Sequence, residues 1–321
     1  MSQPKPIRRV AIIGTGVIGA SWTALFLAKG LEVVATDVAP DAEAALRRFV
    51  AAAWPALQRL GLAPGATQDK LTFTASLVNA VKGADLVQEN GPEKIDFKRT
   101  LYKQLDELLP ADVIIASSSS GLTMSEIQAA CTLHPERCVI GHPFNPPHLV
   151  PLVEIVGGKN TSEDTIRRAA EFYTALGKRA IRLNKEVPGH VANRLQAALA
   201  REVYYLVAED VVSVADVDAA LSWGPGLRWG IMGQVMLNHL GGGQGGIEHF
   251  FKQFTGPITA WWKVLGNPQL TPEIQQKLID GAHAEAGPRS IDELAAERDE
   301  ILLGLIEMRN KVGKAGQVKV A

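Results

Sequence analysis

The segment Val10-Ala-Ile-Ile-Gly14-Thr-Gly16-Val-Ile-Gly19 constrains this chain most, because it calls for a strand, a tight turn and a helix in that order. A second apolar run, Leu31-Glu-Val-Val-Ala-Thr, ends at Asp37, 18 residues past Gly19. Gly14 permits the turn, Gly16 lets the backbone approach a pyrophosphate, and Gly19 lets the helix pack close to the strand. The helix's first turn then offers its unpaired N–H groups to the phosphates. An acid at Asp37 is placed to bind the adenosine ribose diol and would repel a 2′-phosphate. The pattern therefore predicts NAD over NADP, with Gly14, Gly16, Val17, Ile18, Gly19 and Asp37 as the cofactor contacts.

The first half of the chain alternates short β-branched runs with helical patterns, which reads as α/β: a Rossmann-type, doubly wound, mostly parallel sheet. Strands are expected at 8–13, 31–37, 84–89, 113–117, 138–142, 152–156 and 180–183. Residues 40–60 read as one Ala-rich helix projecting from the sheet before the chain returns near Leu71. Thr161-x-x-Asp164 reads as the capping box of a helix that Gly177 ends. After Lys185-Glu-Val-Pro188-Gly189 helical patterns dominate, at 190–211, 215–222, 230–240, 246–254, 272–285 and 291–312, with Pro188 suited to a first helical turn. Two domains are expected in 321 residues, with the boundary near 186: a cofactor domain at 1–186 and an all-helical substrate and dimerisation domain at 187–321. The stretch Leu240-Gly-Gly-Gly-Gln-Gly-Gly246 lacks the Lys-Ser/Thr of a phosphate loop and reads as an inter-helix connection.

Bulk properties exclude several classes. A formal net charge of −1 gives no electrostatic footprint for nucleic acid or an anionic membrane surface. No apolar run approaches the ~20 residues of a spanning helix, and none precedes the first strand, so a cytoplasmic protein is expected. The two cysteines, Cys131 and Cys138, read as idle thiols in a reducing compartment, and their spacing does not suit zinc, so no metal is expected.

A hydride-transfer enzyme acting on an alcohol needs a group of near-neutral pKa to take the hydroxyl proton. Of seven histidines, His142 alone ends an expected strand of the sheet, in Val139-Ile-Gly-His142-Pro-Phe-Asn145-Pro. Strand C-terminal edges are where ligands bind in open parallel sheets. Glu154 lies inside the apolar strand Leu152-Val-Glu154-Ile-Val, where a carboxylate needs a partner, and His142 could supply it. Taken alone, His142 reads more readily as a structural histidine; Glu154 reverses that reading to catalysis.

With Ala116-Ser-Ser-Ser-Ser120-Gly-Leu and Pro188-Gly-His-Val-Ala-Asn193-Arg194-Leu added, the set resembles the L-3-hydroxyacyl-CoA dehydrogenase family across both domains. The resemblance implies that His142 is the general base, with Glu154 its partner. It implies that Ser120 and Asn193 hydrogen-bond the reacting substrate; both types also commonly cap helices. Glu89-Asn-Gly-Pro-Glu93-x-x-x-x-Lys98 resembles the segment on the nicotinamide side of the cofactor, giving Glu93 and Lys98, although Lys98 also reads as a solvated helix charge. The implied reaction is NAD-dependent oxidation of a secondary alcohol β to a carboxyl or acyl group. His190 stands where the family usually has phenylalanine.

The acyl-CoA members of the family carry a lysine-rich helical hairpin after the second strand. Here residues 39–65 contain Arg47, Arg48 and Arg59 but no lysine. With Trp54-Pro-Ala-Leu and Gly226-Leu-Arg228-Trp229, this resembles the branch acting on small free 3-hydroxy acids, which includes carnitine dehydrogenase and the L-gulonate 3-dehydrogenase/lambda-crystallin group. The expected substrate is a small L-3-hydroxy acid. A 3-hydroxyacyl-CoA of fatty-acid oxidation is the alternative, and an NAD-binding structural protein of crystallin type is the alternative of another class. A free carboxylate needs a cationic clamp, for which Arg228 and Arg289 are candidates, each equally readable as an interhelical ion pair. A trimethylammonium substrate would further want an aromatic box, to which Trp223, Trp229, Trp261 and Trp262 could contribute, Trp229 being the named candidate, although a tryptophan more often serves as core or dimer contact. Apolar clusters such as Val235-Met-Leu and Ala260-Trp-Trp predict a homodimer through the second domain.

Overall fold

The computed structural model describes residues 6–315, and the side chains of residues 6–312. The chain divides into two compact units, Met1–Arg194 and Leu195–Ala321. The first unit thus takes in the turn at 187–191 and lies beyond the boundary expected near 186.

The first unit is built on one eight-stranded sheet. Its strands are β1 (Arg9–Ile13), β2 (Glu32–Thr36), β3 (Leu71–Phe73), β4 (Leu86–Glu89), β5 (Ile114–Ser117), β6 (Cys138–Pro143), β7 (Leu152–Gly157) and β8 (Arg179–Arg182). Their spatial order is β3-β2-β1-β4-β5-β6-β7-β8, parallel throughout except for the antiparallel pair β6–β7. Chain order reverses between β1 and β4, which opens the crevice at their C-terminal ends where doubly wound folds bind nucleotides. Each expected strand is present to within two residues, and β3 is an additional edge strand.

The helices of this unit are α1 (Val17–Ala28), α2 (Ala42–Leu60), α3 (Leu77–Val81), α4 (Ile95–Leu108), α5 (Met124–Gln128) and α6 (Glu163–Ala175). Strand alternation sends Val10 and Ile12 into one core, with α1, α2 and α6, and Ala11 and Ile13 into the other, with α4 and α5. The 40–60 helix does not project. Its stripe Leu46, Val50, Ala53 and Leu57 recurs at helical spacing and is buried in the α1 core. The cap of α6 is Ser162, not Thr161: the Ser162 hydroxyl accepts from Thr165 N–H (3.1 Å), while Thr161 Oγ1 donates to the Cys138 carbonyl. Cys131 and Cys138 are buried free thiols with Sγ atoms 3.7 Å apart.

The second unit consists of helices, beginning within α7 (Ala192–Ala208) and continuing through α8 (Val214–Trp223), α9 (Pro225–Trp229), α10 (Gln234–Gly241), α11 (Gly246–Trp262), α12 (Pro272–Ala286) and α13 (Ile291–Ala315). Pro188 lies in the turn before α7 rather than in its first helical turn. The glycine-rich stretch joins α10 to α11, and α9 was hidden by the Pro225-Gly226 pair that opens it. Thr271 caps α12 through Ile274 N–H, and Ser290 and Glu293 form a reciprocal box at the start of α13. No described helix is long and apolar enough to cross a membrane.

Candidate active site

The cofactor crevice begins where β1 ends. Gly14 has φ 82°, and Gly14 N–H donates to the Thr36 carbonyl, tying the turn to β2. A Cβ on Gly19 would lie 1.9 Å from the Gly14 carbonyl oxygen, so α1 can start this close to the turn only with glycine there. A Cβ on Gly16 would meet nothing within 4 Å, which leaves that side of the turn open. Gly16 is the N-cap of α1 and no side chain caps the helix, so the amides of Val17, Ile18 and Gly19 head it with no side-chain acceptor.

Asp37 organises the far side. Its Oδ2 accepts from Thr15 N–H (2.6 Å) and Thr15 Oγ1 (3.0 Å), and its Oδ1 accepts from Val38 and Ala39 N–H. Burial pushes its carboxyl up, but the hydrogen bonds from Thr15, Ala39 and Val38 outweigh this and hold it below the ordinary carboxylate range. The carboxylate lines a cavity of about 310 Å³ with Thr15, Gly16, Ala39, Pro40, Asp41, Ala42 and Ala45. An open glycine face, uncapped helix amides and an ionised acid beside a cavity suit a dinucleotide's pyrophosphate and ribose.

Along the sheet edge, Glu93 gathers the loop after β5. Its Oε1 accepts from Ser119 Oγ (2.7 Å) and from the amides of Ser120, Gly121 and Leu122. Burial raises the Glu93 carboxyl, and the bonds from Ser119, Gly121 and Leu122 with the Lys98 charge bring it below its usual value. Lys98 is 1% exposed and donates to both oxygens of Glu89 (2.8 and 2.9 Å), which overturns its reading as a solvated charge. Its ammonium stands 3.7 Å from Glu93 Oε2, so it supports the loop from beneath. Glu89, with further bonds from Ser117 Oγ and Gly91 N–H, is the residue that sequence reasoning missed here. A buried carboxylate nine residues before a lysine was the available signal.

His142 and Glu154 stand opposite each other in the antiparallel β6–β7 register. His142 Nδ1 lies 2.8 Å from Glu154 Oε2. A carboxylate only accepts, so Nδ1 carries a hydrogen, and in the neutral ring the lone pair is on Nε2. Glu154 is fully buried, and its other oxygen accepts from Val191 N–H (2.9 Å) and Ala192 N–H (3.1 Å). Burial pushes the Glu154 carboxyl up, and the bonds from His142, Val191 and Ala192 outweigh this and keep it ionised. Ser120 is exposed on its loop; its N–H is held by Glu93 and its carbonyl accepts from Asn193 Nδ2 (3.3 Å). Ser120 thus comes from the loop after β5, His142 and Glu154 from β6 and β7, and Asn193 from the start of α7, where the two residues before it, Val191 and Ala192, carry the bonds to Glu154. A substrate oxygen between the Ser120 hydroxyl and the His142 lone pair would find one donor and one proton acceptor.

The remaining candidates belong to the second unit. Arg289 is held by the carbonyls of Glu285 and Ala286 and by Glu297 Oε2 (3.1 Å), the interhelical ion pair that was its other reading. Trp229 donates its indole N–H to Gln234 Oε1 (2.5 Å), while Arg228 is exposed on α9.

The model of the 3-hydroxyacyl-CoA dehydrogenase NAD binding domain matches residues 9–187, and that of the family's C-terminal domain matches residues 189–283. An L-carnitine dehydrogenase of Streptomyces griseus is 48% identical over 97% of this chain and 92% of its own length. An L-carnitine dehydrogenase of Pseudomonas putida is 47% identical over 94% of each chain. Among solved structures, an NAD+ dependent dismutase, 5-formyl-3-hydroxy-2-methylpyridine 4-carboxylic acid 5-dehydrogenase, superposes with a TM-score of 0.83 at 32% identity, covering 95% of this chain and 99% of that one. Two family models that together span most of the chain, and relatives of this identity, show that the chain belongs to the 3-hydroxyacyl-CoA dehydrogenase family as an NAD-dependent oxidoreductase.

Proposed function

We propose that this chain oxidises the 3-hydroxyl of a small free L-3-hydroxy acid, with L-carnitine the foremost substrate, to the 3-oxo acid. The observation that carries the reading is the near-full-length likeness to L-carnitine dehydrogenases at 42–48% identity, combined with an intact His142–Glu154 pair. Gly14, Gly16, Gly19, the α1 amides and Asp37 would hold NAD, which when bound supplies the hydride acceptor. His142 Nε2 takes the hydroxyl proton, and ionised Glu154 stabilises the resulting imidazolium through Nδ1. Ser120 and Asn193 orient the substrate oxygens so that the carbinol carbon meets the nicotinamide face.

The α2 helix supports a free acid over a CoA thioester. Its arginines are Arg47, Arg48 and Arg59, and Arg47 is already paired with Glu43 (2.8 Å). That is a thin cationic surface for a nucleotide bearing several phosphates. The ionised His142 partner argues against a purely structural role. The second unit exposes the large apolar side chains Trp223, Leu240, Trp261, Trp262, Val264 and Ile291, which supports a homodimer through this unit. A cytoplasmic location completes the proposal, and it accords with two buried cysteines left free.

The test is NADH formation at 340 nm with L-carnitine, L-gulonate, free 3-hydroxybutyrate and 3-hydroxybutyryl-CoA, each offered with NAD and NADP. Preference for L-carnitine with NAD is the expected outcome. Preference for the thioester would overturn the free-acid assignment, and no turnover of any of the four would favour the structural role. Light scattering at micromolar concentration checks the dimer, and a stable monomer would refute it.

A further inference from the structure

His190 combines three unusual features at the centre of the site. It is 1% exposed, it holds the left-handed φ of 51° although it is not glycine, and its buried Nδ1 has no hydrogen-bond partner. Its Nε2 lies 3.0 Å from the Ser119 carbonyl oxygen, an atom that only accepts, so Nε2 carries the hydrogen and Nδ1 the lone pair. Its ring packs on that of His142 at 5.1 Å between centroids and 49° between planes. The turn that forces its φ, closed by His190 N–H on the Val187 carbonyl, also sends the next two amides to Glu154.

We propose that neutral His190 is a positioning residue that locks the Ser119–Ser120 loop to the His142–Glu154 pair, fixing the distance between substrate donor and proton acceptor. Ser120 lies on the loop after β5 and His142 on β6, and no direct hydrogen bond joins their side chains. The route from one to the other runs Ser119 carbonyl, His190 ring, His142 ring. The left-handed backbone at His190 persists because bonds on both sides over-determine it. Burial lowers the proton affinity of the ring, with the neighbouring His142 adding to the effect and the Ser119 carbonyl, Glu154 and Glu93 opposing it. The neutral form follows, and it avoids setting a second cation against His142 when that residue accepts the substrate proton.

The inference rests on His142 being the proton acceptor, so its test has one arm that needs no turnover. His190→Phe keeps a ring against His142 and loses the donor to Ser119; His190→Gln keeps a donor near the position of Nε2 and loses the ring. We expect His190→Phe to lower kcat with the best substrate by on the order of 10- to 100-fold with NAD affinity unchanged, and His190→Gln to recover part of that loss. Amide hydrogen exchange at residues 119–122, measured without substrate, should speed up in the Phe variant and less so in the Gln variant. Wild-type kcat and wild-type exchange in His190→Phe would overturn the proposal, as would equal impairment of both variants with unchanged melting temperatures. If the wild type oxidises no 3-hydroxy acid, the functional reading fails alone, and the exchange arm still decides whether His190 holds the loop.

Discussion

His142 and Glu154 are Cα partners in the β6–β7 register, and their side chains close that pairing with a 2.8 Å hydrogen bond between Nδ1 and Oε2. Side chains directly opposite in an antiparallel pair share one face of the sheet, so the backbone itself sets the imidazole's orientation. Glu154→Gln keeps size and polarity while removing the charge that stabilises protonated His142. A fall in kcat of about 10²–10⁴-fold is expected, the range for disabling a general acid–base group, with NAD binding retained. Isothermal titration and steady-state kinetics on the same preparation separate the two effects. A variant with wild-type kcat would remove Glu154 from the reaction.

Two glycines of the turn should fail in different ways when replaced by alanine. At Gly16 a Cβ meets no protein atom within 4 Å, and its φ of −59° is open to any residue. Gly16→Ala should therefore melt within about 0.5 kcal/mol of wild type yet lose NAD affinity, because the added methyl occupies the phosphate approach. At Gly19 the Cβ would stand 1.9 Å from the Gly14 carbonyl oxygen, so Gly19→Ala must displace the turn or the helix. It should lower both stability and affinity, read by thermal denaturation and cofactor titration. Equal melting temperatures for the two variants would contradict this division.

The parts legible in the sequence are those whose physics is local. β1, β2 and β5 are largely buried and read as apolar runs, and the glycine turn needs only residue identity. β3 escaped notice because Leu71–Phe73 is a three-residue edge strand, too short to display a period. The antiparallel turn of β7 did carry a signal: residues 144–151 are too few for a parallel crossover, which takes a dozen or more. The His142–Glu154 pairing was readable because a lone carboxylate in an apolar strand must find a partner. The role of His190 was not, since its positive φ arises from the bonds around it. Lys98 shows the same limit, as a helix surface position becomes a buried ion pair only once Glu89 lies beneath it.

Asp37 is the residue to which the proposal assigns the cofactor preference. Removing its carboxylate takes away the group that would repel a 2′-phosphate and the acceptor that orders Thr15, Val38 and Ala39. Asp37→Ser should raise KM for NAD and narrow the NAD to NADP ratio of kcat/KM by at least about tenfold, equivalent to ~1.4 kcal/mol. The expected loss with NAD is the larger part, because no cation replaces the acid to attract the phosphate. An unchanged ratio would move the discriminating residue elsewhere in the crevice.

Lys178 offers a prediction on stability against pH. Its buried ammonium donates to the Pro147 and Val150 carbonyls and sits 5.2 Å from the Trp22 ring centre. Burial, with a smaller contribution from Lys29, lowers its pKa from 10.5 to about 7. Between those values the unfolded chain binds a proton that the folded chain does not, so this group makes stability rise with pH across the window. The gain is lost as pH falls toward 7, where both states are protonated and the folded one bears a buried charge. Lys178→Met has no such group. Its stability relative to wild type should therefore be highest near pH 7 and decline toward pH 10, by up to about 1.4 kcal/mol per unit crossed. Urea unfolding of both proteins at pH 7, 8.5 and 10 measures the difference directly. Parallel stability profiles would mean that the carbonyls and the indole keep Lys178 charged throughout, and that its burial exacts no proton.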